Sequence, residues 1–263
     1  MRILRCIPAA FSMYSKIPVP GFRGKDEDIQ NCIMFLPLVG AVIGAVMFFL
    51  IRFLSYLPAP VSVRAMILVT VPLIITGGFH IDGFMDTVDA RSSLKSPEEK
   101  LEIMKDPHIG AFAVVRLLIL GIIAVSSLVV IINLDSQSER PIYVLACGAF
   151  TVSRALAALT SVYMKKARND GMLATETKES GNACTVALMI QLIAAASLMA
   201  YLNAVYTGII LAVFIIFTLF YGHMTTKEFG GVTGDTAGYY VTTSEVFALA
   251  ALAVAAMLLM GRV

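Results

Sequence analysis

Charge is scarce in this chain. Asp, Glu, Lys and Arg make up only 14% of its 263 residues, against roughly 25% in an ordinary soluble domain. Hydrophobic residues supply 58%, an excess that excludes a typical soluble globule and fits a membrane protein. Formal net charge is only +2, so no nucleic-acid partner is expected. Cysteine is sparse and scattered: Cys6, Cys32, Cys147 and Cys184 form no CxxC pair. Neither a zinc site nor a disulfide framework is indicated, and the thiols read as buried or free. The opening MRILRCIPAAFSMYSK has a short apolar run broken by Pro8 and no convincing small-residue cleavage site. It reads as a retained interfacial segment rather than a signal peptide.

What the chain does have is long apolar runs, near 33–51, 65–79, 111–134, 141–162, 184–202, 205–221 and 244–260. Each approaches the roughly 20 helical residues that cross a hydrocarbon core of about 30 Å. The expectation is an all-α, polytopic transmembrane helical bundle of about seven spans, a single integral membrane catalytic domain over 1–263. Pro37 and Gly40 interrupt the first run and Pro72 the second, breaks that membrane helices tolerate where neighbours satisfy the freed backbone groups. Only Asn203 and Ala204 divide the fifth and sixth, which predicts a tight hairpin or a partly re-entrant pair.

Seven crossings put the N-terminal segment and the loops around 80–110, 163–183 and 222–243 on one side. That side holds 14 basic residues. The other holds four, Arg52, Arg64, Arg140 and Arg262, while Arg116 and Arg154 fall inside apolar runs. The positive-inside rule makes the richer side cytoplasmic. All three histidines and every acidic residue except Asp135 and Glu139 share that side. Chemistry confined to one face favours an enzyme over a channel or transporter, which needs polar groups through its depth.

The densest chemistry lies in GGFHIDGFMDTVDARSS, Gly77–Ser93. On a helix, Asp82, Asp86 and Asp89 stand at i, i+4 and i+7 on one face. At roughly 6 Å, two carboxylates repel by about 3 kcal/mol at an effective dielectric of 20, and by less than about 1 kcal/mol in bulk water. A cation relieves that repulsion. Hard carboxylate oxygens suit Mg²⁺, which keeps waters and bridges protein carboxylates to substrate phosphates; the alternative is a solvated acidic loop. His80 reads as a general base, a ligand or an interfacial histidine. Gly77, Gly78 and Gly83 read as points of close backbone approach or unusual dihedrals.

Downstream, EEKLEIMKDPHIGAF offers Asp106 as a further metal ligand and Lys105 as a phosphate contact, or else a solvated helix face. A second Gly-Gly element, GGVTGDTAG, places Asp235 four residues after its second glycine, as Asp82 follows Gly78. Glu245 reads as another site carboxylate or a helix N-terminal charge. Arg116 and Arg154 are expected to find partners inside the bundle, the alternatives being to snorkel toward the cytosol or to bind an anionic substrate, because each costs about 2.5–3.5 kcal/mol at a helix centre. The KKAR run at Lys165–Arg168 is expected to anchor the membrane surface.

The segment GGFHIDGFMDTVDA resembles the Gly-Gly-x-His-x-Asp-Gly-x-x-Asp-x-x-Asp signature of the cobalamin synthase (adenosylcobinamide-GDP ribazoletransferase) family. SKIPVP, FLPLVGAVIG, IMKDPHIGAFAV and GGVTGDTAG match its other motifs in order, so the resemblance covers nearly the whole chain. Ala90-Arg91 stands where members often have Gly-Leu, and Pro107 where Ser is frequent. The resemblance implies a reaction with Mg²⁺ as cofactor, in which α-ribazole or its 5′-phosphate attacks adenosylcobinamide-GDP and releases GMP. It also implies an inner-membrane location in a prokaryote, a cytosolic site, contact with membrane lipid and association with other cobalamin-assembly enzymes. Asp82, Asp86, Asp89 and Asp106 are then the metal residues, with Asp235 and Glu245 completing the polar site. Lys105 and Arg154 contact the diphosphate, and His80 or a carboxylate serves as base. A CDP-alcohol phosphotransferase, an intramembrane prenyltransferase and an ion-coupled transporter are the rival readings of the same charges.

Overall fold

The computed structural model describes residues 2–20, 22, 29–135, 141–178 and 180–260. In chain order its helices are α1 (Arg2–Tyr14), α2 (Leu36–Ser55, entered through a 3₁₀ turn at Cys32–Phe35), α3 (Val61–Thr76), α4 (Phe79–Ser92) and α5 (Pro97–Ile103). There follow α6 (Ala111–Asp135), α7 (Tyr143–Tyr163), α8 (Met172–Glu176), α9 (Asn182–Leu202), α10 (Ala204–Phe229) and α11 (Gly234–Met260). No strand occurs among the described residues, where the one β-type feature is an isolated bridge between Lys166 and Val232. Glu139, Arg140 and Arg262, assigned above to the sparsely charged face, lie outside the described residues, as do Arg23 and Lys25 of the opposite face.

Six of the described helices are long and apolar enough to cross a membrane: α2 with its 3₁₀ entry, α6, α7, α9, α10 and α11. α3, whose 16 residues rise about 24 Å at roughly 1.5 Å each, qualifies as a seventh candidate crossing only together with α4. It ends at Gly77 and Gly78, both left-handed (φ 63° and 82°), a conformation that costs glycine nothing. The chain there bends by 94° into α4. Carrying three aspartates and an arginine, α4 leaves the spanning direction and lies across one end of the bundle.

The polytopic all-α bundle is thus as expected, with two boundaries moved. α10 runs to Phe229, past the expected end at 221, and α11 begins at Gly234 rather than near 244. Apolar runs mark only the part of a helix that lies in hydrocarbon; polar turns that continue it beyond the membrane carry no such signal. The loop expected over 222–243 therefore shrinks to four residues. The α9–α10 hairpin is tight, and the Asn203 side chain caps α10 by accepting from the Tyr206 amide at 3.2 Å.

α11 is the hub, packed on α4, α6, α7 and α10, while α2 lies most extensively along α7. Gly40 and Gly44 of α2 face the backbone of Phe150 and Cys147 so closely that no Cβ fits, the small-residue contact that lets membrane helices approach. Cys6, Cys32, Cys147 and Cys184 are all buried. Outward faces carry exposed Phe49, Phe53, Ile74, Ile122, Ile190 and Leu219, suited to lipid.

Candidate active site

α4 is helical over the acidic segment, so Asp82, Asp86 and Asp89 share a face as their spacing predicts. What faces them is α11. Gly83 lies against the Asp235 backbone, where a Cβ would come within 2.7 Å of the Asp235 carbonyl oxygen; at Gly238 one would stand 2.9 Å from the His80 carbonyl oxygen. Thr242 Oγ1 donates to that same carbonyl at 3.1 Å. These contacts draw the first turn of α11 onto α4 and bring Asp235 beside the aspartates.

Charge accumulates accordingly. Asp86 is pushed up to about 6, first by burial and then by the negative charges of Asp82, Asp235 and Asp89. Asp82 itself is exposed. Asp89 is held otherwise: its Oδ2 accepts from the Gly110 amide at 2.6 Å and its Oδ1 from the Ala113 amide at 2.9 Å, so both oxygens cap the start of α6. Among the described residues, no three His, Cys, Asp or Glu side chains stand in a metal-ligating group. The donor chemistry nevertheless suits Mg²⁺, which uses one or two carboxylates plus substrate phosphates rather than an all-protein cage.

A cation acting on this face is Arg168, whose charge reaches both Asp235 and Glu102 and whose Nη2 donates to the Leu101 carbonyl. It belongs to the KKAR run expected at the membrane surface. Only Lys165 of that run is exposed, because the backbone is tied down: Val232 N donates to Lys165 O at 2.8 Å and Ala167 N to Val232 O at 3.0 Å. Gly231 allows the crossing, since a Cβ there would strike the Lys165–Ala167 backbone. Nothing in the local sequence distinguishes Arg168 from its basic neighbours; only the distant GGVTG loop turns it inward.

The remaining predicted residues divide between rim and interior. Lys105 is exposed and pairs with Glu102 at 2.7 Å, and exposed Asp106 accepts from the His108 amide at 3.0 Å and meets its Nδ1 at 2.6 Å. Both are exposed in the loop between α5 and α6, and it is Glu102, the partner of Lys105, that feels the charge of Arg168. Arg154 (1% exposed) instead forms an ion pair inside the bundle with Glu245 (8%), and Ser153 Oγ donates to the same Glu245 oxygen at 2.5 Å. Glu245 is therefore not a helix N-terminal charge, lying three turns into α11. Arg116, expected to be partnered within the bundle, is exposed near the start of α6, one turn from the polar end, where a long side chain reaches water. His80 is buried, away from the exposed Asp82.

Arg91, at one of the positions departing from the family pattern, is compensated locally. It meets Glu228 at 3.2 Å and donates to Tyr239 Oη at 2.8 Å, and Lys100 reaches the same Glu228 at 3.2 Å. α4 and α5 are thereby fastened to α10. A residue that the sequence did not single out is Glu176, buried beneath α1 and accepting from Tyr14 Oη at 2.7 Å. Burial, opposed in part by that hydrogen bond, raises its carboxyl to about 7.

A family model described as cobalamin-5-phosphate synthase matches residues 7–253. Among curated proteins, an adenosylcobinamide-GDP ribazoletransferase of Lachnoclostridium phytofermentans is 35% identical over 97% of this chain and 95% of its own. Proteins of the same name from Sinorhizobium medicae (31% identical, 95% and 96% covered) and Clostridium perfringens (29%, 92% and 94%) are also similar. No solved structure matches the chain. The family match takes in both glycine elements, the aspartates of α4 and the facing turn of α11, and on its extent the chain belongs to the cobalamin-5-phosphate synthase family and is an enzyme of that kind.

Proposed function

We propose that the chain joins adenosylcobinamide-GDP to α-ribazole or α-ribazole 5′-phosphate at the face formed by Asp82, Asp86 and Asp235, on the cytosolic side of a bacterial inner membrane. The observation that carries this reading is the meeting of α4 carboxylates, the α11 carboxylate and Arg168 at one end of the bundle. In the transfer, a free ribose hydroxyl oxygen of the ribazole, other than the 5′ oxygen that carries the phosphate in the phosphorylated form, forms a bond to the cobinamide-side phosphorus. The bond from that phosphorus to the oxygen bridging to GMP breaks, and GMP leaves with the electron pair. The hydroxyl proton passes to a carboxylate of the face; His80, shut inside the bundle, is poorly placed to take it.

Phosphoryl transfer depends mainly on positioning and on neutralising charge. Arg168, next to the backbone tie of Lys165 and Ala167 to Val232, is suited to hold a diphosphate oxygen opposite the aspartates. Asp82 and Asp86 are suited to hold Mg²⁺, which when bound would neutralise phosphate charge that carboxylates alone repel. Asp89 keeps the loop before α6 in place. The reading is tested with purified protein in lipid, Mg²⁺ and both ribazole forms: GMP release and product mass should rise together. Failure of both in folded protein would reject it.

A further inference from the structure

Glu228 stands in the last turn of α10, where a carboxylate opposes the helix dipole. It serves not α10 but two cations brought in by other helices. Arg91 of α4 donates through Nε to both Glu228 oxygens and through Nη2 to Oε1, each at 3.2 Å. Lys100 of α5 reaches Oε2, also at 3.2 Å. Side-chain exposures of 22%, 23% and 11% for Arg91, Glu228 and Lys100 set this triad apart from solvent-exposed pairs, which contribute little.

Each cation leads on into the candidate site. With Nε and Nη2 held, the planar guanidinium of Arg91 has Nη1 aimed at Tyr239 Oη, 2.8 Å away, a direction that a lysine would not fix. Tyr239 lies one helical turn beyond Asp235, and its ring stacks on Phe84 of α4 at 5.8 Å with an interplanar angle of 5°. Lys100 lies 6.0 Å from the centre of the Phe229 ring and holds α5 in place. The next residue of α5, Leu101, accepts from Arg168 at its carbonyl. The charge of Arg168 reaches Asp235, so the two branches that part at Glu228 meet again across the site. We propose that Glu228 is a positioning residue for the transfer, bracing Asp235 through Arg91 and Tyr239, and Arg168 through Lys100 and α5. The assignment rests on the transferase reading above, in which Arg168 holds a diphosphate oxygen opposite the carboxylates.

Substitution separates the branches. Lys100→Met keeps the apolar stem and frees α5; Arg91→Met keeps most of the bulk and releases Tyr239. Full-length proteins in nanodiscs are compared by thermal unfolding, by calorimetric binding of GDP alone, and by kcat and KM for each substrate. Lys100→Met should weaken GDP binding and raise KM for adenosylcobinamide-GDP about tenfold, the scale of one hydrogen bond to a charged group, with kcat nearly unchanged. Arg91→Met should do the reverse, lowering kcat about tenfold at nearly unchanged GDP affinity. Tyr239→Phe, which removes only the hydroxyl, should lower kcat in wild type but not further in Arg91→Met, and Glu228→Gln should show both losses. Lys95→Ala breaks the exposed Lys95–Glu99 pair at the start of α5 and should change neither. Folded Lys100→Met with wild-type GDP affinity, or folded Arg91→Met with wild-type kcat, overturns the proposal. So do variants that lose binding and kcat together in step with a lowered unfolding midpoint, the mark of a structural tie alone. Wild type that binds GDP but makes no product defeats the transferase reading instead, and GDP binding by Lys100→Met still decides the bracing of Arg168.

Discussion

Asp82 and Asp89 are indistinguishable by spacing, yet the fold gives them different work. Asp82 is exposed, whereas both oxygens of Asp89 accept backbone amides of the α6 entry. Asp82→Asn should fold normally, lose most turnover and shift the Mg²⁺ titration. Asp89→Asn should set an amide NH₂ against a backbone N–H and cost about 1–3 kcal/mol of stability. Thermal unfolding and turnover, measured on both, separate the roles; equal unfolding midpoints would refute the distinction. Glu176 gives a pH signature. Its folded carboxyl titrates near 7, against an ordinary 4.5, so the native state binds the extra proton between those values. The associated stability is complete below pH 4.5 and lost as pH rises through 7, on the order of 3 kcal/mol in all. The unfolding midpoint should fall from pH 5 to pH 8 and fall less in Glu176→Gln, which keeps an acceptor for Tyr14; parallel falls would rule this out. Spacing and motif exposed the aspartates beforehand. Glu176 and Arg168 were illegible, because a lone charge in a polar loop has no local pattern and owes its role to distant chain.

At the scale of elements, the apolar runs located the six long candidate crossings and the start of the bent α3–α4 pair, since hydrocarbon thickness writes itself directly into sequence. They could not locate the ends of α10 and α11, or show that the KKAR run pairs with Val232. The contact that matters most is that of α4 on α11 through Gly83 and Gly238. Gly83→Ala would force the Asp235 backbone away and should cost about 1–3 kcal/mol by overpacking. Turnover should fall far more than that destabilisation explains, because Asp235 moves off the aspartates. Unfolding midpoint and kcat together check this: a folded Gly83→Ala enzyme of normal kcat would show that the helix spacing is not critical.

For the whole molecule, the asymmetry of basic residues sets an orientation that labelling can read. The native cysteines are buried, so introduced ones report alone. In intact cells, an impermeant thiol reagent should modify a cysteine at exposed Tyr56 and spare those at Lys95 and Asp170. The reverse pattern would invert the proposed topology. One-sided chemistry is what composition and span count predict and what the labelling tests; the internal Arg154–Glu245 pair was legible only in half, as an arginine in need of a partner that sequence could not choose.

That pair joins α7 to α11, which leaves the ribosome after the other described crossings. Until α11 is inserted, a growing chain holds Arg154 in the membrane without its carboxylate, at a cost of about 2.5–3.5 kcal/mol if it stays near a helix centre. Asp235 arrives on the same helix. Biosynthesis thus withholds charge balance and one wall of the site until α11 is inserted, and a chain cut short before Gly234 is left with a distinguishing mark, an unpaired intramembrane cation, by which membrane proteases can sort it from the finished enzyme.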